Sequence, residues 1–494
     1  MALAPRPTTT FRSLLQGSAL YTAGTIIPRL GLFLLLPVYT LGMGPAEFGR
    51  FSLMLSLANL LAIVFRLGLD GALMRLHYDV SPEHRGRLYW SLASVTAIVG
   101  LAIGVVVVTI GGPLFEAAFD GIAVVPYGVL ALAIAATTAL QYVPITRFRV
   151  TERPDRVLAF GVGVFLSGAV VTLWLVLVRQ AGAVGGLLGQ LAAGIATVVV
   201  AVAVLARQRP GFSVDLATQG LRFGLPLVPH SIAAWVLNLS DRWLIALLIA
   251  GTTAAQVSVG IYTLGYQLGQ VVALVALSLN AAWVPFFYAR GTGPHGPGLL
   301  RELTTLSIGG LAILGVVVSV LAPEAVAVLA PSSWGSEAPT ANLVTPLVAL
   351  ASLLQGVYLM AVSPLFLQRR TAILPVITIA SGAINVGLNL VLIPTIGIAG
   401  AAVSTVAGYA ALALITIWYA GKGYDVRLDG PRLGAIFGAA VVAVGLSRLL
   451  APPGLVPSAL AHLVLAAAFA AVSLPILRGP WQVARALVPR SSPT

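Results

Sequence analysis

About 14 apolar runs, each long enough to cross a bilayer, occupy nearly the whole chain. They lie near 14–40, 46–68, 88–110, 123–146, 157–178, 183–206, 224–250, 259–287, 303–329, 341–367, 372–394, 398–420, 433–451 and 457–477. A spanning helix needs about 20 mainly apolar residues. Barrel strands would instead alternate and turn every ten residues or so. In lipid each backbone amide has to be satisfied inside the protein, so such runs predict helices. No linker is long enough for a soluble domain. Charged residues make up 9% of the 494, against roughly 25% in soluble domains. The expected fold is an all-α polytopic membrane protein.

The charges orient it. Basic residues return in alternate gaps: Arg6 and Arg12 before the first run, then Arg75, Arg85 and Arg87, then Arg147, Arg149, Arg153 and Arg156. Arg207, Arg209 and Arg222 come next, followed by Arg290 and Arg301, Arg369 and Arg370, Lys422, Arg427 and Arg432, and finally Arg478, Arg485 and Arg490. The intervening gaps are short and carry chiefly Glu116, Asp120 and Glu337. The positive-inside rule then places both termini in the cytoplasm. The N-terminus reads as the inside end of a membrane helix, not a cleaved peptide, because its apolar run is too long for a signal. A net charge of +13 would point to nucleic acid in a soluble protein. Here it is dispersed among membrane spans and suits an anionic inner leaflet instead.

The chain also repeats. AGAVGGLLGQLAAG (181–194) matches IGIAGAAVSTVAGY (396–409), pairing Gly182 with Gly397 and Gly185 with Gly400 at an offset of 215. AEFGRFSL (46–53) matches VSVGIYTL (257–264), pairing Gly49 with Gly260 at an offset of 211. Each copy enters from the inside, so the repeat is parallel. The expected domains are a six-helix bundle in 1–206, its repeat in 207–421, and two further spans with a cytoplasmic tail in 422–494. Facing parallel halves point to alternating access, with the site between them. No filter sequence marks a channel.

Some polar residues sit where lipid would penalise them by about 2.5–3.5 kcal/mol for a charge. Arg29 lies within the first span, and Asp241 and Arg242 lie at similar depth in the seventh, its repeat partner. Ser18, Thr22, Thr25 and Arg29 share a helix face, as do His230, Asn238 and Asp241, then Thr263, Gln267 and Gln270, and then Ser381, Asn385 and Asn389. These stripes read as walls of a hydrated cationic cavity, with Tyr262 and Tyr266 at its rim. Guanidinium groups there favour phosphate or carboxylate. Asp241 and Arg242, adjacent on a helix, point about 100° apart and cannot share one face. Arg66 is expected to pair with Asp70 in an i,i+4 structural role. Prolines 28, 37, 226, 229, 285, 364, 375 and 394 lie in or at the ends of spans, where they permit bending.

Other chemistry finds little support. Cysteine is absent, which removes thiolate catalysis, disulfides and Cys metal sites. The five histidines lack metal-ligand spacing. The outer gaps are too short to hold the carboxylates or histidines of an outer-face polymerase or ligase. No enzyme activity and no resident metal or cofactor are expected.

The chain resembles the polysaccharide biosynthesis flippases of the multidrug/oligosaccharidyl-lipid/polysaccharide exporter superfamily. The likeness rests on IPTIGIAGAAVSTVAGY (393–409) after GAINVGLNLVLIP, on YTAGTIIPRLGLFLLLPVYTLGMGPAEFGRFSL with LGLDGALMR, and on SDRWLIALLIAGTTAAQVSVGIYTLGY (240–266). The resemblance implies translocation of an undecaprenyl-diphosphate-linked oligosaccharide through a cationic cavity between two six-helix bundles in the cytoplasmic membrane. Arg29 and Arg242 would meet diphosphate or acidic sugars, with Thr25, Asn238, Asp241, Gln267, Gln270 and Asn385 completing the substrate site. Membrane lipids, a polysaccharide polymerase and glycosyltransferases are the expected partners, and H+ or Na+ the coupling ion. The alternatives are a cation-coupled multidrug or metabolite antiporter, which would favour cavity acids such as Asp241 and Asp70, and a lipid II flippase. Against the latter, Arg29-Leu30-Gly31 lacks the further first-span charges that those proteins carry. A membrane-embedded glycosyltransferase or scaffold is a different class, disfavoured by the short outer loops.

Overall fold

The computed structural model describes residues 31, 33–291, 296–425, 428–450 and 452–486. Among these every regular element is helical and none is a strand. Among the described residues, 13 helices are long and apolar enough to cross a membrane. They answer to the expected runs from 46–68 onward. Most of the run at 14–40 lies outside the described residues, and it ends in the short helix Leu36–Gly42.

The helices that matter below are α1 (Pro45–Arg66), α2 (Leu69–Asp79), α3 (Val228–Leu248), α4 (Thr252–Gly269), α5 (Ile373–Ile396), α6 (Ile398–Gly421), α7 (Gly430–Leu449) and α8 (Leu455–Ile476). Their ends follow from local chemistry. Gly397 alone links α5 to α6, at φ 60° and ψ −140°, a conformation that side chains disfavour. Gly182, which stands opposite Gly397 in the two matched strings, also has positive φ, 53°. α1 breaks before α2 because Leu67 and Gly68 turn left-handed, at φ 49° and 70°. The break separates Arg66 from Asp70, so the expected i,i+4 geometry is lost, and Arg66 Nε donates to the Ala62 carbonyl instead.

The expected prolines lie at the starts of helices more often than inside them. Pro37 and Pro364 occupy the first turns of their helices, Pro229 and Pro375 lie in the first turns of α3 and α5, and Pro226 sits in a 3-10 turn. The missing N–H costs nothing at a helix start. Only Pro285 and Pro394 of the expected set are interior among the described residues. The span expected at 303–329 is two helices, Gly296–Val320 and Ala322–Leu329, divided where Pro323 opens the second.

The chain falls into two compact units, Met1–Met43 with Leu53–Ile232, and Gly44–Ser52 with Ala233–Thr494. The first unit is centred on Leu69, Leu73, Leu88, Leu92, Tyr142 and Ala201. The largest core of the second joins Trp283, Phe287, Ile308 and Leu353 to Ile436 and Phe469. The last two residues belong to α7 and α8, so the C-terminal helix pair packs into the second unit. The opening turns of α1 are also part of the second unit.

Candidate functional site

Four helices of the second unit build a polar cluster in an otherwise apolar interior. On α3, Asn238, Asp241 and Arg242 come within one helical turn of each other. α4 brings Tyr262 and Tyr266, four residues apart and therefore on one face. α5 brings Asn385 and Asn389, and α6 brings Thr405 and Tyr409, each pair again at a spacing of four. Tyr409 reaches Asn238 while Thr405 reaches Asp241. Numbers rise along α3 as they fall along α6, so the two helices run antiparallel here.

Asp241 is completely buried. Its Oδ2 accepts from Tyr262 at 2.6 Å and Thr405 at 2.6 Å. Its Oδ1 accepts from Asn389 Nδ2 at 2.9 Å. All three donors are neutral. Thr405 also lies 2.9 Å from the Ala401 carbonyl, although its hydroxyl has only one proton to give. Either Thr405 donates to an ionised Asp241, or a protonated Asp241 donates to Thr405, which then donates to Ala401. Asn389 Nδ2 also approaches Asn385 Oδ1 at 3.3 Å. Asn389 Oδ1 and Asn385 Nδ2 are buried and have no hydrogen-bond partner among the described residues.

Arg242, 4% exposed, takes different partners. Its Nε donates to Ser52 Oγ at 3.1 Å and one terminal nitrogen donates to the Asn238 carbonyl at 3.1 Å. The guanidinium carbon lies 4.5 Å from the Tyr266 ring centre and 5.8 Å from that of Tyr262, within cation–π range. No carboxylate pairs with it among the described residues. Arg242 is thus a buried cation held by neutral oxygens and aromatic faces, an arrangement able to accept an anion bidentately.

The expected site residues are distributed as follows. Asn238, Asp241, Arg242 and Asn385 come together in this cluster. Asn238 is half-buried, its oxygen accepting from Tyr409 at 2.8 Å. Gln267 and Gln270 lie half-buried on and just after α4, and Gln267 Oε1 has no hydrogen-bond partner among the described residues. Thr25 and Arg29 lie outside the described residues. Ser381, Asn385 and Asn389 form the expected line, but it is packed at 0% exposure within the second unit. Three members were not expected. Ser52 stands opposite Thr263 in the repeated strings, and Thr405 and Tyr409 lie in the VSTVAGY stretch; repeat position and motif were the available signals.

Comparison with known proteins gives the family and the fold. The polysaccharide biosynthesis protein family matches residues 14–289, more than half the chain. No curated protein sequence matches. Among solved structures, the lipid II flippase MurJ in an inward closed conformation aligns with a TM-score of 0.71 at 13% identity, covering 93% of this chain and 99% of that one. An inward-facing multidrug resistance MATE family transporter of the MOP superfamily aligns at 0.58 and 15% identity, covering 81% and 94%. MATE in the straight conformation aligns at 0.55 and 17%, covering 83% and 94%. The fold is that of multi-pass membrane transporters, and the chain belongs to the polysaccharide biosynthesis protein family.

Proposed function

We propose that the protein is a flippase carrying an undecaprenyl-diphosphate-linked oligosaccharide across the cytoplasmic membrane by alternating access. Arg242 carries this reading. A guanidinium buried in a membrane span without a carboxylate partner is costly unless an anion completes it, and a diphosphate fits its fork. The half-buried amides of Asn238, Gln267 and Gln270 are suited to sugar hydroxyls, whereas Asn385 is packed in the interior beside Asn389. Arg29 and Thr25 take the corresponding roles in the first half. The family match and the likeness to a lipid II flippase support a lipid-linked substrate. A polymerase and glycosyltransferases are the natural partners of such a step.

Asp241 has a further part in this reading. A carboxylate met only by neutral donors is the place for a compensating H+ or Na+, and Asn389 Oδ1 beside it is an unused acceptor. That supports cation coupling and is the feature an antiporter would share. The domain reading remains two six-helix halves, 1–206 and 207–421, with 422–494 appended and both termini cytoplasmic. The shared positive φ of Gly182 and Gly397 supports the repeat.

The test is export in cells that lack the gene. Wild type should restore the surface polysaccharide. Arg242→Ala should lower export about 10- to 100-fold, the value of one charged hydrogen-bond set, while inserting normally. Wild-type export from Arg242→Ala would refute the assignment.

A further inference from the structure

α1 and α4 meet through residues that are one another's repeat mates. Ser52 and Thr263 are 211 positions apart, and their hydroxyls lie 2.9 Å from each other. Gly49 and Gly260 stand in the same relation. A Cβ on Gly49 would lie 2.0 Å from the Gln256 carbonyl oxygen, and one on Gly260 would lie 2.0 Å from the Pro45 carbonyl oxygen. Pro45 and Gln256 are mates as well. Residue and partner thus exchange roles across the contact, which is the form of a two-fold, isologous interface. The repeat axis therefore passes between these two helix ends, inside the second unit.

The contact has the makings of a gate. Backbone meets backbone there through two glycines, with the Ser52–Thr263 hydroxyl pair beside them. A contact on the axis relating two copies is one that rocking of those copies must alter. On the proposed topology these helix ends face the outside. Ser52 has a second role, because its Oγ also accepts from Arg242 Nε at 3.1 Å. A bidentate anion on that guanidinium would compete for the same N–H.

We infer that the Gly49–Gly260 and Ser52–Thr263 contact is an outer gate that opens in each transport cycle, released when an anionic headgroup takes Arg242 Nε from Ser52. The second clause rests on the diphosphate reading above; the first does not. The chain has no cysteine, so Ser52→Cys with Thr263→Cys introduces the only thiol pair. Oxidation should join the two positions, stop polysaccharide export, and be reversed by reductant. Undecaprenyl diphosphate in vesicles should slow formation of the bond, and undecaprenol without phosphate should not. Failure of the bond to form, or full export with the bond formed, would overturn the gate. Blocked export with a bond rate indifferent to undecaprenyl diphosphate would overturn the link through Arg242 and count against the diphosphate substrate. Ser52→Ala gives a second readout: it frees Nε and should tighten undecaprenyl diphosphate binding, whereas unchanged binding contradicts the competition.

Discussion

Asp241 and Arg242 are neighbours in sequence with separate sets of partners. The roughly 100° step between them sends the carboxylate to Tyr262, Thr405 and Asn389 and the guanidinium to Ser52, Asn238 and Tyr266. That separation was legible from helix geometry alone. The partners were less so. A hydroxyl on an apolar helix can bond its own i−4 carbonyl, and Thr405 lies within reach of Ala401, so its presence does not announce a distant partner. Thr405→Val would take a donor from a buried carboxylate and should cost about 1–3 kcal/mol, seen as a lower unfolding midpoint in detergent. Asp241→Asn keeps the shape and removes the charge. It should insert normally and make transport indifferent to the driving H+ or Na+ gradient in vesicles; retained dependence would remove Asp241 from the coupling role.

At the level of elements, the 13 described spans follow directly from apolar length, and the basic gaps marked where they turn. Breaks inside spans were harder to read, because they depend on tertiary contact. The Leu67–Gly68 turn is an example. A Cβ on Gly68 would stand 2.2 Å from the Gly224 carbonyl oxygen, and no local signal reports a backbone 156 residues away. Gly68→Ala should therefore be strongly destabilising, combining that clash with a left-handed φ costing about 1–2 kcal/mol. Gly387→Ala, inside α5, is the control. Its Cβ would meet nothing within 4 Å, and the helix preference of alanine makes it neutral or stabilising by up to about 1 kcal/mol. Equal unfolding midpoints for the two variants would contradict this account of the break.

For the molecule as a whole, the expectation of a repeat rests on two pairs of short glycine-bearing strings, and nothing in the sequence foretells how the last two helices attach. A buried cluster helps to fix them. Glu324 Oε1 accepts from Ser458 and meets His462 Nδ1 at 2.8 Å, while His462 Nε2 reaches the Ser447 carbonyl at 3.0 Å. The helix Ala322–Leu329 is thereby tied to both α7 and α8. Near the start of α7, Arg432 pairs with Glu302 at 2.9 Å and Asp429 with Arg301 at 3.1 Å. His462 looked isolated in the sequence because its partner is 138 residues away. Glu324→Ala would leave the buried His462 Nδ1 and the Ser458 hydroxyl without their partner and should cost about 1–3 kcal/mol. Limited proteolysis should then release the 422–494 segment faster than in wild type, and an unchanged rate would show that the cluster does not hold the pair.

The central claim is that this fold moves a diphosphate-linked glycolipid and that Arg242 engages its headgroup. Purified protein in vesicles, supplied with a fluorescent undecaprenyl-diphosphate oligosaccharide and an impermeant quencher, measures that movement directly. Wild type should expose the probe far faster than empty vesicles do, with Arg242→Ala slower by about 10- to 100-fold. Probe movement no faster than in empty vesicles, or equal rates for wild type and Arg242→Ala, would contradict the account.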